Sequence, residues 1–169
     1  MAIAPKLHEF LNARHSEYEL LPHPRTASST ATAQAAHVPG RRFAKAVVVE
    51  DNEGYMLAVL PSTHHLALSE LGDALERRPL RLAKESELPA LFSDCALGAL
   101  PALGAAYQMP TVIEGELDEQ PDVYFEAGDH EHMVHMTGAE FRHATAQVRR
   151  AHFSRIDAGL SRVIGGDTA

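Results

Sequence analysis

The stretch Arg41-Arg42-Phe43-Ala44-Lys45-Ala46-Val47-Val48-Val49 constrains the fold of this chain more than any other. Val47, Val48 and Val49 are contiguous and β-branched, which suits a pleated, buried surface. An apolar run without alternation predicts a strand covered on both faces. Asp51-Asn52-Glu53-Gly54 is a turn signal and Tyr55–Leu60 is apolar again, so an antiparallel hairpin is expected. Lys45 stands where the apolar run begins. Lysine is almost never fully buried without a partner. Either its ammonium reaches water from the strand end, discouraging sheet-to-sheet pairing, or it faces a polar pocket.

The other elements are read from local pattern. Pro5 with Leu7, Phe10 and Leu11 predicts a helix near 5–15, and Tyr18–Leu21 a short strand. Pro24 disfavours helix at His23, so His23–Ser29 is a polar loop whose Ser or Thr can cap the next helix. Thr32–His37 is alanine-rich and helical until Val38-Pro39-Gly40. Leu66, Leu68, Leu71 and Leu75 suggest a helix near 66–77, Leu80–Leu82 a short strand, and Ser86-Glu87 the opening of another helical stretch. After a Gly- and Ala-rich loop from Cys95 to Met109, three strands are expected at Thr111–Ile113, Val123–Phe125 and Met133–Met136. Thr137 and Glu140 fit a capping box, predicting a last helix into the 150s with a frayed end through Gly165-Gly166-Asp167. Strands and helices mingle without regular βαβ alternation, which predicts an α+β fold with a mixed, mostly antiparallel sheet. With 169 residues, one domain over 1–150 is expected, followed at 151–169 by the end of the last helix and a tail.

Charge and cysteine usage narrow the class. A formal charge of −8 argues against broad, non-specific nucleic-acid binding. The charge is uneven: Glu85 to Glu140 holds twelve acids and no Lys or Arg, whereas Arg142 to Arg162 holds five arginines and one acid. There is no apolar run of membrane-spanning length and no signal-peptide core, and the single cysteine, Cys95, fits a reducing cytosol. A cytoplasmic location without membrane contact is expected. Cys95 reads as a structural thiol.

Three stretches can carry chemistry. Gly98-Ala99-Leu100-Pro101-Ala102-Leu103-Gly104 is a shaped loop whose backbone can approach a ligand closely, or an ordinary crossing loop; it is neither a P-loop nor GxGxxG. Gly128-Asp129-His130-Glu131-His132-Met133-Val134-His135 invites a metal reading, but in a strand His130 and His132 share a face that His135 does not. A satisfied, acid–base or substrate-binding imidazole is the commoner role. His23-Pro24-Arg25-Thr26 is a plausible rim for an anionic or hydroxyl-bearing ligand. There is no G-x-S-x-G elbow.

In order and spacing, HPRTASS (His23–Ser29), the helix ending in HVPG (His37–Gly40), FAKAVVV (Phe43–Val49), GALPALG (Gly98–Gly104) and VYFEAGDHEHMVHM (Val123–Met136) resemble the YbaK / prolyl-tRNA-synthetase-associated domain family. The resemblance runs from about Leu7 to about Ala144 and is closest to free-standing deacylases of the YeaK and Ala-tRNA(Pro) editing type. It implies a curved, barrel-like sheet flanked by helices. It implies hydrolysis of the ester joining a wrong amino acid to a tRNA 3′ end, without cofactor or metal, and gripping of the acceptor end; a synthetase partner stays open. Lys45 matches the family's key strand lysine, Gly98 and Pro101 its glycine/proline loop, and His130 the histidine after the late Gly-Asp. The rest of the expected site comprises His23, Arg25, Thr26, Ala99, Leu100, Ala102, Leu103, Gly104, Gly128 and Asp129. Close relatives often carry two prolines in the loop where Ala102 follows Pro101 here, which bears on pocket size.

An aminoacyl ester is already activated, so positioning and charge stabilisation matter more than a strong nucleophile. Small side chains such as Ala, Ser or Thr are the expected substrates, because a pocket excludes larger groups more sharply than smaller ones. The alternatives are a non-catalytic tRNA- or synthetase-binding module on the same fold, and a metal-dependent hydrolase using His130, His132 and His135.

Overall fold

The expected hairpin forms from β2 (Ala44–Glu50) and β3 (Tyr55–Pro61), paired without a break from Ala44↔Pro61 to Glu50↔Tyr55 in the computed structural model, which describes residues 3–77 and 79–157. Asp51 makes the turn: its Oδ1 accepts from the N–H of Glu53 at 2.7 Å and of Gly54 at 3.0 Å. Gly54 takes φ +149°, which residues with a Cβ rarely adopt.

The hairpin is the middle of a five-stranded sheet ordered β5-β2-β3-β6-β9. β5 (Arg81–Leu82) pairs antiparallel with β2, while β6 (Thr111–Glu114) and β9 (Arg149–Ala151) run parallel on the other side. β1 (Glu19–Pro22), β8 (His132–Thr137) and β7 (Asp122–Glu126) form an antiparallel sheet in the order β1-β8-β7. β4 (His64–Leu66) and β10 (Ser154–Ile156) make an antiparallel ribbon. One bridge, Phe43 to Tyr124, links the two larger sheets, and no closed barrel forms among the described residues.

Two apolar cores arise from strand alternation. Val48, Leu57 and Val59 point between the sheets to Ile113, Phe125, Val134 and Phe141, with Leu7 and Leu11 of α1 (Pro5–Ala13) closing the end. Val47 and Val49 point the other way, to Met56, Ala58, Leu60, Phe153 and Leu71 of α3 (Leu68–Leu75). The strand is thus covered on both faces, as its unbroken apolar run predicts. α2 (Ser29–Ala35) is capped by Ser28, whose Oγ accepts from Ala31 N at 3.1 Å; α4 (Leu88–Leu91) is a single turn. No described helix is long and apolar enough to cross a membrane.

Two expectations are corrected. The leucine-rich segment begins as strand β4, so its helix starts only at Leu68. The last helix, α5 (Gly138–Ala144), does start at Thr137, whose Oγ1 accepts from Glu140 N at 3.1 Å, but stops after seven residues instead of reaching the 150s. Thr145 ends it by bonding its hydroxyl back to Phe141 O at 2.6 Å. Arg150 then donates to Val148 O at 2.9 Å and grips Asp118 at 2.9 and 3.0 Å, turning the chain into β9 and β10. The glycines at 165 and 166 lie outside the described residues.

Candidate functional site

Three connections meet at Gly98: the loop between β1 and α2, the segment after α4, and the β7–β8 turn. Gly98 has φ +86°, and a Cβ there would lie 2.9 Å from Ala27 O and 3.2 Å from His130 Cε1. Only glycine fits this contact. His130 itself stands at φ +66°, and its Nε2 lies 2.5 Å from Leu97 O. A carbonyl only accepts, so Nε2 carries a proton and donates. The ring's Nδ1 is buried without a hydrogen-bond partner among the described residues. Asp129 builds the turn below: its Oδ1 accepts from Glu131 N and His132 N at 2.9 and 2.8 Å, and its Oδ2 sits 2.7 Å from His132 Nδ1. Burial works against that charge, but these donors hold the Asp129 pKa below the carboxylate range.

The meeting point borders a cleft of two compartments that share Leu97 as a wall. The larger, about 380 Å³, is lined by Arg25, Thr26, Ala27 and His130. The smaller, about 150 Å³, is lined by Ala46, Leu88, Gly98 and Leu100 together with Ser29 and Glu85. The N–H groups of Gly98 and Leu100 have no backbone acceptor among the described residues.

The structure therefore brings together Arg25, Thr26, Gly98, Leu100 and His130 of the expected set. Ala99, Pro101, Ala102, Leu103 and Gly104 are buried away from it. Gly104 is needed for packing, since a Cβ there would meet Thr111 Oγ1 at 2.0 Å. Gly128 is buried against Ala4 and Cys95. His23, expected at the rim, has a completely buried side chain: its Nδ1 donates to Pro24 O at 2.8 Å and its Nε2 lies 3.2 Å from Glu126 Oε2. Sequence reasoning missed the buried pair beneath the cleft, Glu126 and Thr32, whose Oγ1 lies 2.5 Å from Glu126 Oε1.

Lys45 stands one residue from the cleft lining but on the other face of β2, the face of Val47 and Val49. Its ammonium makes no hydrogen bond or ion pair among the described residues. Partial burial lowers its pKa, against a weaker opposing pull from Asp157. The expected histidine trio is dispersed. His132 is held by Asp129, and His135 by Asp122 at 2.8 Å while stacked on Tyr124. No group of three or more metal-ligating side chains converges among the described residues.

Most described arginines are spent inside the molecule. Arg150 grips Asp118, Arg155 pairs with Glu70, Arg81 with Glu50 and Arg77 with Asp51, while Arg142 and Arg149 donate to the carbonyls of Asp118 and Ala74. Arg25, Arg41, Lys45 and Lys84 have no such partner among the described residues.

Comparison with known proteins adds the decisive observation: the family model for the aminoacyl-tRNA editing domain matches residues 23–144. The chain belongs to that family. As an aminoacyl-tRNA editing domain it is an aminoacyl-tRNA deacylase, a hydrolase of ester bonds. The matched segment begins at His23 and includes every connection around Gly98. No curated protein matches this chain. Among solved structures, hypothetical protein APE2540 superposes with a TM-score of 0.78 at 23% identity, covering 89% of this chain and 99% of that one. A candidate trans-editing enzyme for prolyl tRNA synthetase gives 0.76 at 22% identity, covering 90% and 96%. A candidate signal transduction protein from Marinobacter aquaeolei VT8 gives 0.71 at 22% identity, covering 91% of this chain but 31% of its own. At such identities these likenesses establish the fold.

Proposed function

We propose that this editing domain acts in trans on mischarged tRNA carrying a small amino acid of the Ala, Ser or Thr type. The observation that carries this reading is the divided cleft at Gly98. Its compartment of about 150 Å³ has a mostly apolar lining suited to a small side chain, and the polar compartment beside it suits the terminal adenosine. The resemblance of the fold to a candidate trans-editing enzyme for prolyl tRNA synthetase supports the same reading and makes a prolyl system the first to test.

In this scheme the ester carbonyl lies over Gly98. A water oxygen adds to the carbonyl carbon, and the free N–H groups of Gly98 and Leu100 stabilise the oxyanion. Collapse breaks the bond to the ribose oxygen, which takes up the proton that the adding water gives up, so the products are a free amino acid and tRNA. The neighbouring ribose hydroxyl orients the water, and no protein nucleophile is required. His130, held to Leu97 O through Nε2, braces the loop, and its unsatisfied Nδ1 is the acceptor available to the substrate amine or a water. Lys45 is the contact for the terminal phosphate or ribose oxygens, reached around the edge of β2 that β5 leaves open beyond Val49. The chemistry needs no metal in this scheme.

The test is deacylation of Ala-, Ser-, Thr-, Pro- and Cys-tRNA by wild type and Lys45→Ala, with and without chelator. Chelator-resistant loss of one small aminoacyl group, abolished in the variant, is expected. Full activity in Lys45→Ala removes the role given to Lys45. Chelator-sensitive turnover returns a metal to the mechanism.

A further inference from the structure

Beneath the cleft lies a polar network that the deacylation scheme does not use. His23 and Glu126 are both essentially inaccessible to solvent, at 0% and 2% side-chain exposure. They come from the loop before α2 and the end of β7. His23 Nδ1 must carry a proton, because its partner is the Pro24 carbonyl. Its Nε2 and Glu126 Oε2, 3.2 Å apart, then share one further proton: either as imidazolium and carboxylate, or as neutral imidazole and carboxylic acid. Thr32 Oγ1 lies 2.5 Å from the other carboxyl oxygen and 2.9 Å from Ser28 O and shares its one proton between these acceptors, so the short contact between Thr32 and Thr26 has Thr26 as donor. Glu126 thereby holds both sides of the loop that carries Arg25, Thr26 and Ala27, and Ala27 O is the atom against which Gly98 is fitted.

We infer that His23 and Glu126 are positioning residues: the one proton held between them fixes the 24–27 lip on Gly98 and His130, and its loss releases the lip. Without that proton, the Nε2 lone pair and a carboxylate oxygen face each other as two acceptors in a dry site, which is repulsive. Desolvation raises the Glu126 pKa, outweighing the donors Thr32 and His23, so the carboxyl keeps a proton above the ordinary carboxylate range. The titratable groups reaching it are His23 from the lip and His130 from the β7–β8 turn; α2 contributes the hydroxyl of Thr32. For the reaction this inference rests on the deacylase reading; for the lip it does not.

Glu126→Gln separates the proton from the geometry. Its amide NH₂ donates to His23 Nε2 and its amide oxygen accepts from Thr32, so both bonds survive without a titrating carboxyl. Two readouts on the full chain decide. By NMR, the wild-type Gly98 and Ala27 amides shift together with the Glu126 carboxyl carbon in one step on raising the pH, a step that Glu126→Gln lacks. In kinetics corrected for spontaneous ester hydrolysis, wild-type kcat/KM falls about tenfold per pH unit beyond that step. Glu126→Gln keeps within about threefold the kcat/KM that the wild type shows below that step and loses the fall above it, whereas Glu126→Ala drops about tenfold or more below it. Amides of Gly98 and Ala27 that ignore pH in the wild type, or a Gln variant that keeps the step, overturn the inference. If the wild type deacylates nothing, the functional reading fails, while the NMR arm still decides whether the pair holds the lip.

Discussion

Lys45 sits where its charge costs the fold something. Burial lowers its pKa below the ordinary 10.5, so the folded state binds that proton less tightly than the unfolded chain. Stability therefore rises with pH through the window between the lowered value and 10.5, and below that window the penalty is constant. Lys45→Met is expected to raise the thermal midpoint at neutral pH while abolishing deacylation; a lowered midpoint would show that the ammonium has a stabilising partner. Gly98→Ala is expected to cost about 1–2 kcal/mol in urea titrations from the left-handed backbone alone, with a fall in kcat/KM as Ala27 is pushed away. Cys95, half-buried beside Tyr107 and Asp94, has its thiol pushed up to about 12 by desolvation, so iodoacetamide is expected to label it slowly at pH 8 and more rapidly in urea. At this scale the sequence was informative wherever a residue broke its local pattern: a lysine opening an apolar run, a glycine in a shaped loop. Glu126 breaks the Val123-Tyr124-Phe125 run in the same way, yet its partner His23 is 103 residues distant and leaves no local trace. His23 misled for the complementary reason, since a histidine beside Pro24 in a polar loop gives no sign that it turns inward.

Among the elements, the short C-terminal strands are held from outside. Glu114, at the end of β6, is buried, and its Oε1 accepts from Phe153 N, Ser154 N and Ser154 Oγ at 3.0, 3.0 and 2.8 Å, while its Oε2 takes His152 Nδ1 at 2.8 Å. Burial opposes the charge, but these donors keep its pKa below the usual range. That contribution is therefore present above the unfolded value and lost as pH falls through the folded one. Glu114→Ala, which strands the donors at the β9–β10 corner, is expected to cost about 3 kcal/mol by urea titration, and Glu114→Gln to flatten the acid limb of the stability curve. A loss confined to a few tenths of a kcal/mol would mean that β10 is held by Phe153 alone. This dependence explains what could be read beforehand. The β2–β3 hairpin, α1 and strands β6 to β8 carry their own periodicity and turn chemistry. β4, β9 and β10 span three residues each, too few to show a period; the Glu114 carboxylate gathers the backbone at the start of β10, β10 in turn pairs with β4, and β9 pairs with β6.

For the whole molecule, the charge of −8 and the internal pairing of most arginines limit how tRNA can be gripped. The sequence concentrates arginines from Arg142 onward, and in the structure Arg142, Arg149, Arg150 and Arg155 are tied to the protein's own carboxylates and carbonyls. If Arg25, Arg41 and Lys45 are the phosphate contacts, binding of an acceptor-end minihelix should weaken with salt at a log–log slope of about −2. Arg25→Ala should make that slope shallower and Arg150→Ala should not, both measured by fluorescence anisotropy; a slope steeper than about −5 would show a further basic surface. A molecule that spends its arginines on itself has little with which to detain a nucleic acid. On the trans-acting reading proposed above, its visits to any one tRNA are expected to be brief, and an acceptor end without its ester has small reason to stay. Such an editor would patrol, clearing errors by sampling many tRNAs quickly.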